Sequence, residues 1–251
     1  MRRTLTGGNW KMNGTPGGAD AYLGEIAGLL PSGPGPEVVL FPPFTLLPVM
    51  AGAARKAGIM LGGQDLFWEE GGAFTGEISP GMLVDAGCTW FLAGHSERRH
   101  VMGEDDATVR RKLEAGTASG LRGILCVGEL LEERETGRTE ETVRRQVEAG
   151  ILGLDAGPGN LAVAYEPVWA IGTGLTATPE EAQRVHALIR GWIGEARGAG
   201  FAEALRIIYG GSVKPANAGE IMKGPDVDGT LVGGASLSAK DFALIVAASD
   251  G

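Results

Sequence analysis

The stretch 161–193 reads LAVAYEPVWAIGTGLTATPEEAQRVHALIRGWI and contains one complete strand–loop–helix unit. Its first five residues are apolar without alternation, which is typical of a strand buried on both faces of a parallel sheet. Thr178 and Glu181 then form a capping box, with Pro179 at the first helical position. Apolar residues follow at the spacing of one helix face: Ala182, Val185, Ile189, Trp192 and Ile193. The stretch therefore predicts one β/α unit of a parallel fold.

The same alternation recurs along the whole chain. Eight short β-type runs are predicted, at 4–10, 37–41, 59–63, 89–93, 123–127, 161–165, 206–209 and 229–232. Segments of helical period separate them, and Ser79-Pro80 and Ser238 mark two further helix starts. Alternation of this kind predicts a parallel α/β fold. Eight units in 251 residues fit a single closed (β/α)8 barrel spanning 1–251, and a doubly wound sheet is the alternative that the pattern leaves open.

Charge and composition narrow the class of protein. The chain carries 31 acidic and 22 basic side chains, a formal net charge of −9. This charge argues against nucleic acid or an anionic membrane as a partner, because such binding needs clustered Lys and Arg. No run approaches the roughly 18 apolar residues of a membrane span, and 1–9 lacks the apolar segment of a signal peptide. The two cysteines have no metal-ligand spacing. We therefore expect a cytoplasmic protein.

Polar residues gather at the predicted carboxyl ends of five strands, where barrels place function. These ends are 9–13, 94–100, 166–174, 210–214 and 233–236. Adjacent glycines in the last two ends allow backbone N–H groups to approach a phosphate, and the loops after strands seven and eight commonly bind one. Either pair alone is most simply a turn. Two pairs at consecutive strand ends favour a phosphate site.

Three side chains at these ends are candidates for catalysis. Glu166 follows an apolar strand to a rim, where it is either a capping carboxylate or a base whose pKa is tuned by partial desolvation. His95 is either a structural hydrogen-bonding group or part of the site, whereas His186, on the helix after Glu166, is interpreted as structural. Lys11, beside Asn9, is interpreted as a clamp for an anionic ligand.

The charged residues that follow His95 and the glycine-rich segment that follows Glu166 each have a simple structural interpretation. Glu97, with Arg98 and Arg99, is most simply a structural ion-pair cluster, although it stands close to His95 in sequence. The segment 167–177 is rich in glycine and uncharged, which is typical of a lid that excludes water beside a base. Uncharged surface loops are also common, so this segment alone does not establish a lid.

Five strings stand in order along nearly the whole chain. They are GNWKMNG at 8–14, GHSERR at 94–99, AYEPVWAIGTG at 164–174, YGGSV at 209–213 and VGGASL at 232–237. Together they resemble the triosephosphate isomerase family. The resemblance implies the TIM-barrel fold and an isomerase of glycolysis and gluconeogenesis. It also implies interconversion of dihydroxyacetone phosphate and D-glyceraldehyde 3-phosphate through an enediolate, without a cofactor or metal.

The resemblance implies a role for each matching residue. Glu166 is implied as the base that moves a proton between two carbons, and His95 as the electrophile that polarises the carbonyl. Lys11 is implied to stabilise anionic charge beside Asn9, a further substrate-binding residue, and Glu97 has a supporting role. The phosphate-binding groups are implied to come from Gly172, Ser212, Gly233 and Gly234.

The resemblance of the loop after the third strand implies that the chain forms a dimer. Residues 64–77 resemble the family's loop that enters a pocket of a partner subunit, with Thr75 near the partner's active site, so a homodimer is implied. Two residues depart from the family's pattern. Asp65 stands where Asn is usual, which bears on hydrogen bonding at the interface. Leu175 replaces a frequent Lys at the far hinge of the lid, which bears on how the lid opens.

Two other functions make different demands on the same residues. A metal-dependent sugar-phosphate epimerase on this fold needs His and Asp ligands at several strand ends, and only His95 qualifies among the histidines. A barrel that only binds partners is expected to have lost Glu166, His95 or Lys11, and all three are present. We therefore expect an isomerase that uses no metal.

Overall fold

Eight parallel strands close into a barrel in the computed structural model, which describes residues 2–31, 33, 35–171 and 176–249. The strands are β1 (Leu5–Asn9), β2 (Glu37–Phe41), β3 (Met60–Gly63), β4 (Cys88–Ala93), β5 (Arg122–Val127), β6 (Leu161–Tyr165), β7 (Arg206–Tyr209) and β8 (Gly229–Val232). Neighbours in sequence pair with each other, and β1 also pairs with β8. This closure confirms the barrel and excludes the doubly wound sheet. Every predicted run agrees with its strand to within one residue at each end.

The strands lack alternation because both of their faces are buried. Alternate residues fill the barrel interior, while the others face the helices: Val163 and Tyr165 of β6 belong to the layer between barrel and helices. The interior cluster consists of Leu5, Val39, Phe41, Trp90, Leu92, Ile124, Cys126, Ala162, Ala164, Ile208 and Leu231. Burial of apolar surface on both sides is the main stabilising contribution to such a sheet.

Helices surround the barrel in the part of the chain that the structure describes. They are α1 (Pro16–Ile26), α2 (Leu47–Lys56), α3 (Pro80–Asp85), α4 (Ser96–His100), α5 (Asp106–Ala118), α6 (Leu131–Glu135), α7 (Thr139–Ile151), α8 (Pro179–Arg197), α9 (Ala199–Ala204), α10 (Pro215–Met222) and α11 (Ala239–Ala248). None of these helices is long and apolar enough to cross a membrane.

Three helix starts predicted from the sequence are confirmed, although of the capping box predicted at Thr178 and Glu181 the structure gives only the hydroxyl half, and the Glu181 carboxylate pairs with Arg134. The hydroxyl oxygens of Ser79, Thr178 and Ser238 each accept a hydrogen bond from the backbone N–H three residues later, at 3.2 to 3.3 Å. Each hydroxyl thereby satisfies one of the N–H groups that a helix leaves unpaired at its start. The predicted apolar stripe of α8 is buried.

His186 lies on the same buried side of α8, away from the cleft described below. Its Nδ1 lies 3.1 Å from the carbonyl oxygen of Asp226, which can only accept a hydrogen bond. Burial lowers the pKa of His186 to about 4. The position agrees with a structural role for this histidine.

The register of the strands places their carboxyl ends at one rim. Val127 pairs with Tyr165, and Tyr165 pairs with Tyr209. The ladder continues one residue further, since the Glu166 N–H donates to the Val127 carbonyl and the Gly210 N–H to the Tyr165 carbonyl, both at 2.7 Å. Glu166 is therefore fixed at the rim by backbone hydrogen bonds on both sides.

Candidate active site

A cleft of about 310 Å³ opens at the rim formed by the carboxyl ends of the strands. Residues from the ends of β1, β4, β6, β7 and β8 line it together. Those that the sequence predicted are Asn9, Lys11, His95, Glu166, Ser212, Gly233 and Gly234. Residues as far apart in sequence as Asn9 and Gly234 meet here because the barrel closes between β1 and β8.

The remaining predicted residues lie elsewhere. Glu97 is not among the described residues that line the cleft, but it contacts two of them. Thr75 is exposed in the loop after β3 and does not line the cleft. Gly172 and Leu175 lie outside the described residues.

Glu166 is a buried carboxylate held by neighbouring polar groups. Its side chain is 2% exposed. Oε2 accepts a hydrogen bond from the Ser96 backbone N–H at 2.9 Å, and Oε1 lies 3.3 Å from His95 Nε2. One oxygen is therefore anchored to α4, while the other faces the imidazole at the cleft.

The hydrogen-bond partner of the His95 ring determines its tautomer. Nδ1 accepts a hydrogen bond from the Glu97 backbone N–H at 3.2 Å, so Nδ1 presents its lone pair and the ring hydrogen resides on Nε2. Nε2 is the atom that faces Glu166. The site thus places an N–H donor and a carboxylate oxygen side by side at the cleft.

Lys11 adopts an unusual backbone conformation. Its φ of +51° is the only positive value among the non-glycine residues that the structure describes. Two side chains hold it there: Asn9 Oδ1 accepts from the Lys11 N–H at 3.0 Å, and Gln64 Nε2 donates to the Lys11 carbonyl at 2.8 Å. Conformations of this kind cost on the order of 1–3 kcal/mol and cluster at functional sites. Asn9 therefore braces Lys11 as well as lining the cleft.

Glu97 is not part of the cluster predicted with Arg98 and Arg99. Its Oε1 accepts from the Lys11 ammonium at 2.6 Å, and its Oε2 lies 3.8 Å from His95 Nδ1. The two arginines pair with other carboxylates, Asp65, Glu104 and Asp106. The simple ion-pair interpretation was wrong because the three side chains, adjacent in sequence, leave α4 in different directions.

The glycine pair after β7 and the glycine pair after β8 are required for different physical reasons. A Cβ at Gly233 would meet nothing closer than 3.8 Å, and one at Gly234 nothing within 4 Å, so this pair leaves open space over the cleft. A Cβ at Gly210, in contrast, would lie 2.7 Å from Glu166 Cγ. A Cβ at Gly211 would overlap the Tyr209 hydroxyl. The prediction that glycines let a phosphate approach the backbone therefore fits Gly233 and Gly234, after β8. Gly210 and Gly211, after β7, are glycines because neighbouring protein atoms occupy the space of a Cβ.

A side chain that the sequence analysis did not identify braces the loop after β7. Asn217 Nδ2 donates to the Ser212 carbonyl at 3.0 Å, and Asn217 Oδ1 accepts from the Lys214 backbone N–H at 2.7 Å. Pro215, which lies between Lys214 and Asn217 in sequence, is the first residue of α10. The amide therefore fixes the segment 212–214 against the first turn of this helix.

Gln64 and Glu129 were also missed, although a signal for them existed. Gln64 directly follows β3 and Glu129 stands two residues after the end of β5, but neither was considered among the polar residues at strand ends. Glu129 is buried, which raises its pKa, and it accepts hydrogen bonds from Trp169 Nε1 at 2.9 Å and the Tyr165 hydroxyl at 3.2 Å. The Arg134 guanidinium lies 4.0 Å over the Trp169 ring. The start of the predicted lid is thus tied to the barrel.

The described residues include no group of three or more His, Cys, Asp or Glu side chains placed to hold a metal ion. The cleft brings together a carboxylate, an imidazole N–H and an ammonium group, beside a glycine-lined space. Such a set can move a proton at a carbon next to a carbonyl and stabilise the resulting oxyanion.

Comparison with known proteins connects this geometry to one family. The family model described as triosephosphate isomerase matches residues 4–249. The chain is 53% identical to the triosephosphate isomerase of Moorella thermoacetica and 51% identical to that of Geobacter metallireducens, in both cases over 98% of each chain. It is 50% identical to the triosephosphate isomerase of Acidithiobacillus ferrooxidans over 100% of this chain and 98% of the relative.

Proposed function

This chain belongs to the triosephosphate isomerase family and is an isomerase that interconverts dihydroxyacetone phosphate and D-glyceraldehyde 3-phosphate in glycolysis, and we propose that Glu166, His95 and Lys11 carry out the reaction. One observation carries the assignment of roles. Glu166 Oε1 and His95 Nε2 lie 3.3 Å apart at the cleft, with a hydrogen on Nε2. A base and an electrophile are thus adjacent, as proton transfer beside a carbonyl requires.

Glu166 acts as the base. Its carboxylate removes a proton from the carbon next to the substrate carbonyl, the electron pair forms the enediolate, and the proton returns to the neighbouring carbon. The substrate leaves with the same atoms and electrons, so the step requires no redox partner. The buried position of Glu166 excludes water that would compete for the proton.

His95 and Lys11 stabilise the charge that develops on oxygen. The Nε2–H of His95 donates to the substrate oxygen as it becomes negative, and the Lys11 ammonium adds positive charge in the same cleft. Glu97 supports both residues, because its carboxylate holds the ammonium and its backbone N–H holds Nδ1 of the imidazole.

Substrate binding requires a small rearrangement of the base. At 3.3 Å, Glu166 Oε1 and His95 Nε2 are in direct contact, so no substrate carbon and oxygen fit between them. A bound carbonyl replaces this contact and receives the Nε2–H, while the carboxylate turns toward the adjacent C–H. The hydrogen bond from Ser96 to Oε2 defines the resting position of the carboxylate.

The phosphate of the substrate belongs at the glycine-lined side of the cleft. Ser212, Gly233 and Gly234 lie there, and we assign them to phosphate binding, with Asn9 as a further substrate-binding residue at the Lys11 side. Backbone N–H groups of open, glycine-rich segments bind phosphate oxygens well. Gly172 completes the proposed set from outside the described residues.

We also propose that the protein is a cytoplasmic homodimer, formed through the loops after β1, β3 and β4. Met12 is 95% exposed, and Val101 and Met102, which follow α4, are 73% and 63% exposed. Phe74 is exposed in the loop after β3, beside Thr75. Exposed apolar side chains at one rim are typical of a surface that another chain covers.

Asp65, at the root of this loop, has partners within its own chain. Lys112 Nζ donates to both of its oxygens at 2.6 and 2.7 Å, and Arg98 lies 3.1 Å away. The carboxylate thus fixes the start of the loop 64–77 to α5. Its departure from the usual Asn therefore affects the anchoring of the loop.

An isomerisation assay tests the proposed function directly. The purified protein is given each triose phosphate in turn, with and without a metal chelator, and formation of the other is followed. Equal interconversion in both samples supports the proposal. Loss of activity with the chelator would show that the isomerisation depends on a metal, and absence of turnover in both samples would contradict the function.

A further inference from the structure

The mechanism above leaves one cation of the cleft without a role. Lys214 lines the cleft together with Ser212 and Gly233, and its side chain is exposed. Its backbone is extended, at φ −136° and ψ 162°, and its N–H is held by Asn217 Oδ1 at 2.7 Å. Because the same Asn217 amide binds the Ser212 carbonyl, the backbone of Lys214 is fixed relative to the loop assigned to phosphate.

Lys214 differs from Lys11 in how its charge is compensated. The cleft-lining side chains with a full charge, among the described residues, are Lys11, Lys214 and Glu166. The Lys11 ammonium lies 2.6 Å from Glu97, whose carboxylate offsets its charge. Within the described ranges no carboxylate forms an ion pair with the Lys214 ammonium. Lys214 therefore contributes the uncompensated positive charge at this side of the cleft.

The negative net charge of the chain increases the importance of a local cation for binding an anionic substrate. At a net charge of −9, the long-range field repels a phosphate dianion. Positive charge at the mouth of a cleft raises the local concentration of an anionic ligand and the rate of productive encounter, and salt weakens this effect. The Lys214 ammonium stands beside the segment 212–214 after β7, here called the Ser212 loop, which is the proposed binding site of the phosphate.

We infer that Lys214 is a substrate-steering residue, whose uncompensated ammonium draws the phosphate end of the triose phosphate toward the Ser212 loop. This inference rests on the proposed function and adds to it a residue that acts before the chemical step. Lys214 accelerates capture of the substrate, whereas proton transfer is left to Glu166 and His95. Its contribution therefore belongs to kcat/KM and depends on ionic strength.

The test uses two charge-matched variants at the two caps of the same helix, α10. Lys214→Gln removes the N-cap ammonium of α10, and Lys223→Gln removes the ammonium at its C-terminal end, where Lys223 pairs with Glu220 outside the cleft. Each variant loses one positive charge. Isomerisation is measured for both, for the parent and for Lys214→Arg, from about 10 mM to about 500 mM ionic strength, a range over which the screening length falls from about 30 to about 4 Å.

The expected result is a salt-dependent loss specific to Lys214. Lys214→Gln lowers kcat/KM roughly 3- to 10-fold at low salt, approaches the parent at high salt, and leaves kcat within about twofold. Lys223→Gln follows the parent, and Lys214→Arg restores the rate. Equal kcat/KM for the two glutamine variants at every salt concentration would overturn the inference while leaving the function intact, and so would a loss that salt does not change. A parent protein without turnover would instead contradict the proposed function, and the inference with it.

Discussion

Gly210 lies against the side chain of Glu166, so closely that a Cβ at residue 210 would come within 2.7 Å of Glu166 Cγ. The two residues are neighbours because the ladder between β6 and β7 extends one step past both strands. The glycine therefore leaves the space that the carboxylate occupies. Its φ is not among the positive values, so alanine fits the backbone conformation and collides only through its side chain.

We predict that Gly210→Ala displaces the base while the barrel stays folded. A misplacement of about 1 Å can reduce catalysis by about 10²-fold, so kcat should fall on that order with little change in thermal stability. Gly219→Ala is the matched control, because a Cβ at Gly219 meets nothing within 4 Å. Steady-state kinetics and thermal unfolding measure both variants. Unchanged kcat in Gly210→Ala would show that the contact does not position Glu166.

The titration of His186 predicts a loss of stability in mild acid. Burial lowers the pKa of this residue to about 4 in the folded state, against an ordinary value of about 6.5. The unfolded state therefore binds the proton first, so the free energy of unfolding falls as the pH falls from 6.5 toward 4. The difference amounts to about 3 kcal/mol. Well above pH 6.5 the ring is neutral in both states, and this contribution is then constant.

His186→Asn isolates that contribution from the other titrating groups. The asparagine amide retains a donor for the Asp226 carbonyl but does not titrate. Denaturant unfolding of parent and variant between pH 4 and 7.5 measures the difference. The parent should lose stability relative to the variant as the pH falls below 6.5. Parallel curves across this range would show that His186 is not buried in its neutral form.

Thr75→Arg tests the proposed dimer. The residue is exposed in the single chain, so the substitution leaves the fold intact. If the loop 64–77 enters a partner subunit, an unpaired arginine buried there costs on the order of several kcal/mol, and the protein dissociates toward monomers. Sedimentation measures the change, with Thr117→Arg on α5 as a control outside the loop. A fully active dimer would show that the interface lies elsewhere.

Much of the site could be predicted from the sequence, because its residues stand at the carboxyl ends of apolar strands. A strand buried on both faces must be apolar, so polar residues at its carboxyl end are conspicuous, and this identified Glu166 and His95 correctly as cleft residues. Barrel geometry then brought these ends together. Asn217 carried no such signal, because it lies within α10 and acts on Ser212 through a bend in the chain.

Pairings between distant parts of the chain could not be predicted. Glu97 and Lys11 are 86 residues apart, and their contact depends on the directions in which α4 and the loop after β1 present their side chains. The same limit applies to Arg98, whose partners are Asp65 and Glu104. Adjacency in sequence suggested a cluster of Glu97 with its neighbouring arginines, and only the packed structure separates them.

The most direct test of the account is the turnover of Glu166→Gln. Glutamine retains the shape of the side chain and an oxygen that can accept from Ser96 or His95, but it cannot take up the substrate proton. We predict that kcat falls by at least roughly 10²–10⁴-fold, while binding of a phosphorylated substrate analogue and the folded structure change little. Turnover close to that of the parent would contradict the assignment of Glu166 as the base.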